Sequence, residues 1–201
     1  MSDGLNVNGV RVLAAALDRR AQEALVADLR EVAQSAPFRN PVTAGGKRMS
    51  VQMTAAGQFG WVSDRRGYRY EPRQCDGAEW PAIPARLLKI WHTHLPSAKE
   101  PQSCLINYYG ENTKMGMHQD KDEADLSQPV LSLSLGDEAL FRVGSNERGG
   151  KTATVWLKSG DIAILEGQAR MAYHGIERIR FKSSSLLPRG GRLNVTMRVV
   201  R

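Results

Sequence analysis

Apolar side chains at Ala21, Leu25, Leu29 and Val32 recur at helical spacing, and Asp18 stands where an N-cap belongs. The pattern predicts an amphipathic helix from Asp18 to about Gln34. A second stripe, Leu88, Trp91 and Leu95, follows Pro84 and stops at Pro96, which predicts a helix over 84–95. Between them, residues 49–70 mix β-forming side chains with Gly57, Gly60 and Gly67, a texture of short strands and turns that reads as a hairpin-rich lid. After Cys104 the chain breaks into short β-like runs separated by Gly, Asp and Asn: 105–109, 130–135, 139–143, 153–157, 161–165, 173–179 and 192–200. The last run alternates strictly, with Leu193, Val195, Met197 and Val199 on one face and Arg192, Asn194, Thr196 and Arg198 on the other.

Two helices followed by seven or eight short strands predict a mainly β fold with flanking helices (α+β), built on a sandwich or jelly roll. No repeat, low-complexity tract or linker divides the chain. The expected organisation is one compact unit, in which residues 1–103 form an N-terminal extension and lid docked on a β core over 104–201. A length of 201 residues suffices to bury such a core.

Charge adds a partner class. The formal net charge is +7, and between Phe38 and Arg73 seven basic residues (Arg39, Lys47, Arg48, Arg65, Arg66, Arg69 and Arg73) face only Asp64 and Glu71. A local basic excess, interleaved with Phe38, Phe59, Trp61, Tyr68 and Tyr70, suits a polyanion with stackable bases, although a small satellite core with a solvated rim has the same composition. Cys75 and Cys104 are too few for a disulfide framework and lack C-x-x-C spacing, so two free thiols in a reducing compartment are expected. Met1-Ser2-Asp3-Gly4 opens no signal pattern, and the apolar run from Val12 to Leu17 is too short to span a bilayer, so a cytoplasmic protein without membrane attachment is expected.

Candidate chemistry begins at His118-Gln119-Asp120. On an extended backbone, residues two apart share a face, so this imidazole and carboxylate can touch one metal, and His174 supplies a third donor from a later strand. Two histidines and one carboxylate form the facial set of non-haem iron(II) oxygenases. A satisfied surface pair has the same sequence. His92 and His94 lie two apart on the second helix, where they face different ways, and are assigned no chemistry. The polar row Arg192, Asn194, Thr196, Arg198 admits two readings, a half-solvated edge strand or a row pointing into the barrel, where two guanidiniums require an anion such as a dicarboxylate. Asn107 and Tyr109 could add an amide and a phenol to the same anion.

Four segments, Leu105-Ile106-Asn107-Tyr108-Tyr109, His118-Gln119-Asp120-Lys121-Asp122-Glu123, Tyr173-His174-Gly175-Ile176 and Arg192-Leu193-Asn194-Val195-Thr196-Met197-Arg198, closely resemble the AlkB family of DNA-repair dioxygenases. The resemblance extends upstream to Met49-Ser50-Val51, Gly60-Trp61 and Gly67-Tyr68-Arg69-Tyr70, which look like that family's nucleotide-recognition lid. It implies a double-stranded β-helix with His118, Asp120 and His174 on Fe(II). Asn107, Tyr108, Tyr109, Arg192, Asn194 and Arg198 then match the 2-oxoglutarate site, with Arg192 toward the distal carboxylate and Arg198 nearer the metal. Trp61, Tyr68, Arg69, Tyr70, Asp122 and Arg148 match substrate contacts. Leu165 departs from the pattern, which has tryptophan at the corresponding strand end.

The implied reaction oxidatively demethylates N1-methyladenine and N3-methylcytosine, converting 2-oxoglutarate and O2 to succinate and CO2 and releasing formaldehyde. The implied partner of this monomer is alkylated single-stranded DNA, with double-stranded DNA and RNA as open alternatives. A rival reading keeps the cofactor chemistry and directs it at a substrate that is not nucleic acid; the basic lid argues against it.

Overall fold

The computed structural model describes residues 4–201, so Met1, Ser2 and Asp3 of the stretch read for targeting signals lie outside the described residues. Two antiparallel sheets form the core. The larger has seven strands in the order β1 (Leu5–Val7), β2 (Val10–Leu13), β11 (Ile162–Leu165), β8 (Val130–Gly136), β13 (Arg192–Arg198), β6 (Ser103–Tyr109) and β3 (Gln52–Gly57). The smaller orders β10 (Ala153–Leu157), β9 (Glu138–Val143), β12 (His174–Arg180) and β7 (Met115–His118). This is the expected jelly-roll arrangement. It contains elements the apolar pattern did not reveal: the short strand β7, and the β1–β2 hairpin, whose turn residues Asn8 and Gly9 both have positive φ.

Alternation sorts the large sheet's side chains into two layers. Leu193, Val195 and Met197, with Leu131, Leu133, Leu135, Ile106, Ile162 and Ile164, face the helices. Leu105, Tyr109, Val130, Ala163 and Leu165 face the small sheet and meet Phe141, Val143, Leu157 and Ile176. β13 lies between β8 and β6 with every residue buried, so the edge-strand alternative does not hold. Its polar row is enclosed between the sheets. The Asp137 carboxylate accepts from the amides of Lys182, Ser184 and Gly191, fixing the loop that delivers β13.

Helix α1 (Arg19–Ser35) is capped by Asp18, whose carboxylate accepts from the Ala21 amide at 2.8 Å. Its buried face is Gln22, Leu25, Val26, Leu29 and Val32. Gln22 tolerates burial where Ala21 was expected because its amide donates to the Leu17 carbonyl and accepts from the Ser159 hydroxyl. Helix α2 (Ala85–His94) turns Leu87 and Trp91 into the core, and Leu88 is only half-buried, one position off the expected stripe.

The expected lid divides in two. Its first part, β3, is a core strand paired along its length with β6. The rest is the separate hairpin of β4 (Gly60–Asp64) and β5 (Gly67–Glu71). Trp80 lies against its base, donating from the indole to the Glu71 carbonyl. That packing requires glycine at position 60, since a Cβ there would meet the indole at 2.2 Å.

Candidate active site

His118 ends β7 and His174 begins β12, directly opposite one another in register. The strands approach this closely because Gly175 follows His174; a Cβ at 175 would lie 2.7 Å from the Met115 carbonyl oxygen. Each imidazole is held by its Nδ1, which donates to a backbone carbonyl two residues upstream: Gly116 for His118 and Ala172 for His174, both at 2.9 Å. Both Nε2 lone pairs are thereby left free and turned toward Asp120, at 3.7 Å from Oδ1 and 3.8 Å from Oδ2 respectively. Asp120 stands beyond the end of β7, on the irregular segment that follows it rather than on an unbroken strand. Gln119, between the ligand candidates, donates to the carbonyls of Asn146 and Met171 and so anchors that segment.

One donor atom from each of these three residues lies within 4.8 Å of the others. Their protonation suits a cation. Burial pushes the His174 imidazole down to about 4, so it is neutral at neutral pH. Burial alone would raise the Asp120 carboxyl, but Arg198 and the two histidines outweigh it and hold the group well below the usual carboxylate range. Outward hydrogen bonds that fix an imidazole's tautomer are a regular feature of metal sites.

The polar row of β13 shares this cavity of about 460 Å³ with the three donors. Arg192 is 1% exposed and has no carboxylate partner among the described residues. Nη2 donates to the Ser134 hydroxyl at 2.9 Å, whereas Nε and Nη1 have no hydrogen-bond partner. Asn107 Oδ1 is buried and unpartnered in the same way. Asn107 pairs across the sheet with Asn194, and Tyr109 with Arg192, its ring 5.2 Å from the guanidinium carbon. Buried polar groups are normally satisfied, and a buried guanidinium without an anion is costly. The donor set therefore fits a carboxylate at Arg192 and a metal at the His–Asp–His cluster. Arg198 lies at the metal end, donating to Asp120 at 2.9 Å and reaching Glu123 at 3.4 Å.

Three of the aromatic residues from the lid line the mouth. Trp61 stacks on Tyr68, centroids 5.4 Å apart and planes 19° from parallel, and its indole donates to Asp122 at 2.8 Å. Tyr70 reaches inward and donates to Glu123 at 2.6 Å. Arg148 and Lys121 also line the opening.

Other expected positions lie elsewhere. Tyr108 faces the helix layer, packs edge-on against Phe38 and donates to the Gly190 carbonyl. Alternation along β6 puts 107 and 109 on the cavity side and necessarily 108 on the other. Arg69 sits opposite Val62, on the hairpin face away from Trp61 and Tyr70, and is occupied by Asp64 and Glu71. Phe59 packs under Arg201. Arg39 and Arg73 pair with Asp76 and Glu79, so part of the basic excess is neutralised just beyond the segment, while Lys47, Arg48 and Arg65 make no ion pair among the described residues. The sequence reading also missed Glu123 and Arg170, which carry no local signal: each is explained only by its buried partners. Leu165 is buried in the cavity wall.

A family model for the 2OG-Fe(II) oxygenase superfamily matches residues 9–198. A protein named alpha-ketoglutarate-dependent dioxygenase AlkB homolog, from Caulobacter vibrioides, is 50% identical over 97% of this chain and 89% of its own length. This chain belongs to the AlkB family of 2OG-Fe(II) oxygenases. AlkB of Escherichia coli is 39% identical over 80% of this chain and 76% of its own. The DNA N(6)-methyladenine demethylase ALKBH1C of Arabidopsis thaliana is 30% identical over 75% of this chain, which spans 39% of that protein. The solved structure of OsALKBH1 superposes with a TM-score of 0.82 at 31% identity, covering 95% of this chain and 98% of that one. As an AlkB-family member the protein is an Fe(II)- and 2-oxoglutarate-dependent dioxygenase that uses O2. No helix among the described residues is long and apolar enough to cross a membrane.

Proposed function

We propose that this dioxygenase removes alkyl groups from damaged bases in nucleic acid, acting by preference on single strands. The observation that carries the reading is a single cavity that holds the His–Asp–His cluster and the buried Arg192 guanidinium, whose Nε and Nη1 lack partners among the described residues, and that is roofed by Trp61, Tyr68 and Tyr70. His118, Asp120 and His174 hold iron(II). Arg192 takes the distal carboxylate of 2-oxoglutarate, with Asn107, Tyr109 and Asn194 beside it, and Arg198 serves the end near the metal. When bound, iron would supply the oxygen chemistry that couples decarboxylation of 2-oxoglutarate to hydroxylation of an N-methyl carbon, whose hydroxylated product collapses with release of formaldehyde.

The chain's own residues do the rest. Enclosure between the sheets keeps bulk water from the polar row. Tyr68, 51% exposed at the rim, and the half-buried Trp61 stacked on it offer a platform on which an extruded base can stack. N1-methyladenine and N3-methylcytosine are cationic, and the Asp122 carboxylate, fixed by the Trp61 indole, favours them over neutral bases. A base must leave its stack to reach the cavity, which costs least in a single strand. Arg148, Lys121 and the unpaired Lys47, Arg48 and Arg65 supply positive charge for flanking phosphates.

Trp61→Ala is expected to weaken binding of a methylated single-stranded oligonucleotide by about 1–3 kcal/mol, the range for one stacked base, and to leave 2-oxoglutarate affinity unchanged. Binding by the native protein should fall steeply with added salt as phosphate contacts release counterions. Fluorescence anisotropy with manganese(II) in place of iron reads both. Salt-insensitive binding, together with a Trp61→Ala protein that binds normally and melts at lower temperature, would assign the hairpin a packing role only.

A further inference from the structure

Behind the proposed metal site lies a buried ionic cluster that ligand binding alone does not explain. The Glu123 side chain is 1% exposed, and its carboxylate is shared by three elements. Oε1 accepts from the Tyr70 hydroxyl of β5 at 2.6 Å and faces Nε of Arg198 on β13 at 3.4 Å. Oε2 accepts from Arg170, in the single-turn helix Gly167–Met171, at 3.1 Å. Arg170 in turn donates to the Asp120 carbonyl at 2.7 Å and the Gln128 carbonyl at 2.6 Å, clamping both ends of the loop that carries Asp120. Two carboxylates and two guanidiniums thus balance in charge, and Arg198 is the member shared between Asp120 and Glu123.

The remaining partner, Tyr70, belongs to the hairpin rather than to the core. Among the described residues the hairpin's strands pair with each other and with neither core sheet. Backbone hydrogen bonds hold its flank, from the Val42 amide to the Ser63 carbonyl and from the Phe59 amide to the Gln102 carbonyl, and the Tyr70–Glu123 hydrogen bond ties it to the charge cluster. When Asp120 is engaged by a metal and Arg198 by an anion, the guanidinium that Glu123 shares with Asp120 loses freedom, and with it the Glu123 carboxylate. A carboxylate held in one orientation is a better acceptor for the Tyr70 hydroxyl than one that can turn away.

We propose that Glu123 is a positioning residue that links the metal and cosubstrate site to the β4–β5 hairpin through Tyr70, so that loading the site secures the hairpin over it. Linkage makes the effect reciprocal: a secured hairpin strengthens binding of metal and cosubstrate. The inference rests on the assignment of the metal and 2-oxoglutarate sites and is independent of whether the substrate is nucleic acid.

Hydrogen exchange on the full chain tests it without turnover. Manganese(II) and 2-oxoglutarate added to the native protein should slow exchange of the β4–β5 amides about tenfold. Tyr70→Phe removes only the hydroxyl; in that variant the ligands should still bind, read by manganese paramagnetic resonance and calorimetry, but the hairpin protection should disappear. Glu123→Gln should behave alike with a lower melting temperature, because Arg170 loses its charged partner, and the double variant should add no further change in hairpin exchange. Should Glu123→Gln fail to fold, Tyr70→Phe decides alone. Equal hairpin protection in Tyr70→Phe and native protein would overturn the proposal. Loss of manganese and cosubstrate binding in the native protein would instead point to the site assignment, and absence of activity on oligonucleotides would touch neither result.

Discussion

Alanine at His118, Asp120 or His174 is expected to reduce succinate formation to background. Changes that merely disturb the partners of metal ligands cost about 10–100-fold in affinity or activity, so losing one of three direct donors should cost more than about 100-fold. The three variants should differ in stability, which separates a metal role from a packing role. The His118 side chain is 41% exposed, and His118→Ala should melt close to the native protein. Asp120→Ala removes the carboxylate that faces Arg198 and should melt lower. Asp120→Asn keeps the shape and loses the charge, and iron affinity should fall severely. Iron content after equilibration, succinate yield and thermal melting check all three; normal turnover in any one would remove that residue from the metal site.

Arg192→Ala is expected to raise the Michaelis constant for 2-oxoglutarate strongly. Losing a buried charge-assisted pair costs about 2–5 kcal/mol, and 1.4 kcal/mol is a factor of ten, so the increase should exceed about thirtyfold. Lysine should not rescue it, because an ammonium cannot reproduce the planar fork. The protein without ligand should respond in the opposite sense. Arg192 is enclosed with no carboxylate partner among the described residues, so Arg192→Met, which fills similar volume without charge, should leave the melting temperature of the ligand-free protein unchanged or raise it. Added 2-oxoglutarate and manganese(II) should stabilise the native protein and not the Arg192→Met variant. An unchanged Michaelis constant would place the cosubstrate elsewhere.

Much of this site was legible in the sequence because alternation is a strong signal. Strict period two from Arg192 to Arg198 assigned the polar and apolar rows correctly, although only pairing partners could decide that the strand is central. The same rule, applied to Asn107, Tyr108 and Tyr109, excludes Tyr108 from any site that holds the other two. Asn8-Gly9 between Leu5-Asn6-Val7 and Val10-Arg11-Val12 is a strong hairpin signal, yet the neighbouring helix dominated the pattern there. β7 was hidden because Met115-Gly116-Met117-His118 is too short to show a period, and it becomes a strand by pairing with β12. Glu123, Arg170 and the neutralisation of Arg69 depend on contacts across the fold that no local pattern encodes.

Removal of methyl groups from nucleic-acid bases is measured most directly by following the bases themselves. Purified protein would be given iron(II), 2-oxoglutarate and ascorbate with a panel of singly methylated oligonucleotides, single- and double-stranded, and mass spectrometry would follow each methyl group. The expected result is loss of a methyl group from N1-methyladenine and N3-methylcytosine, faster in single strands, with succinate and formaldehyde formed in step. Succinate formed at the same rate with and without oligonucleotide, and every methyl group retained, would contradict it and direct this active site to a substrate other than nucleic acid.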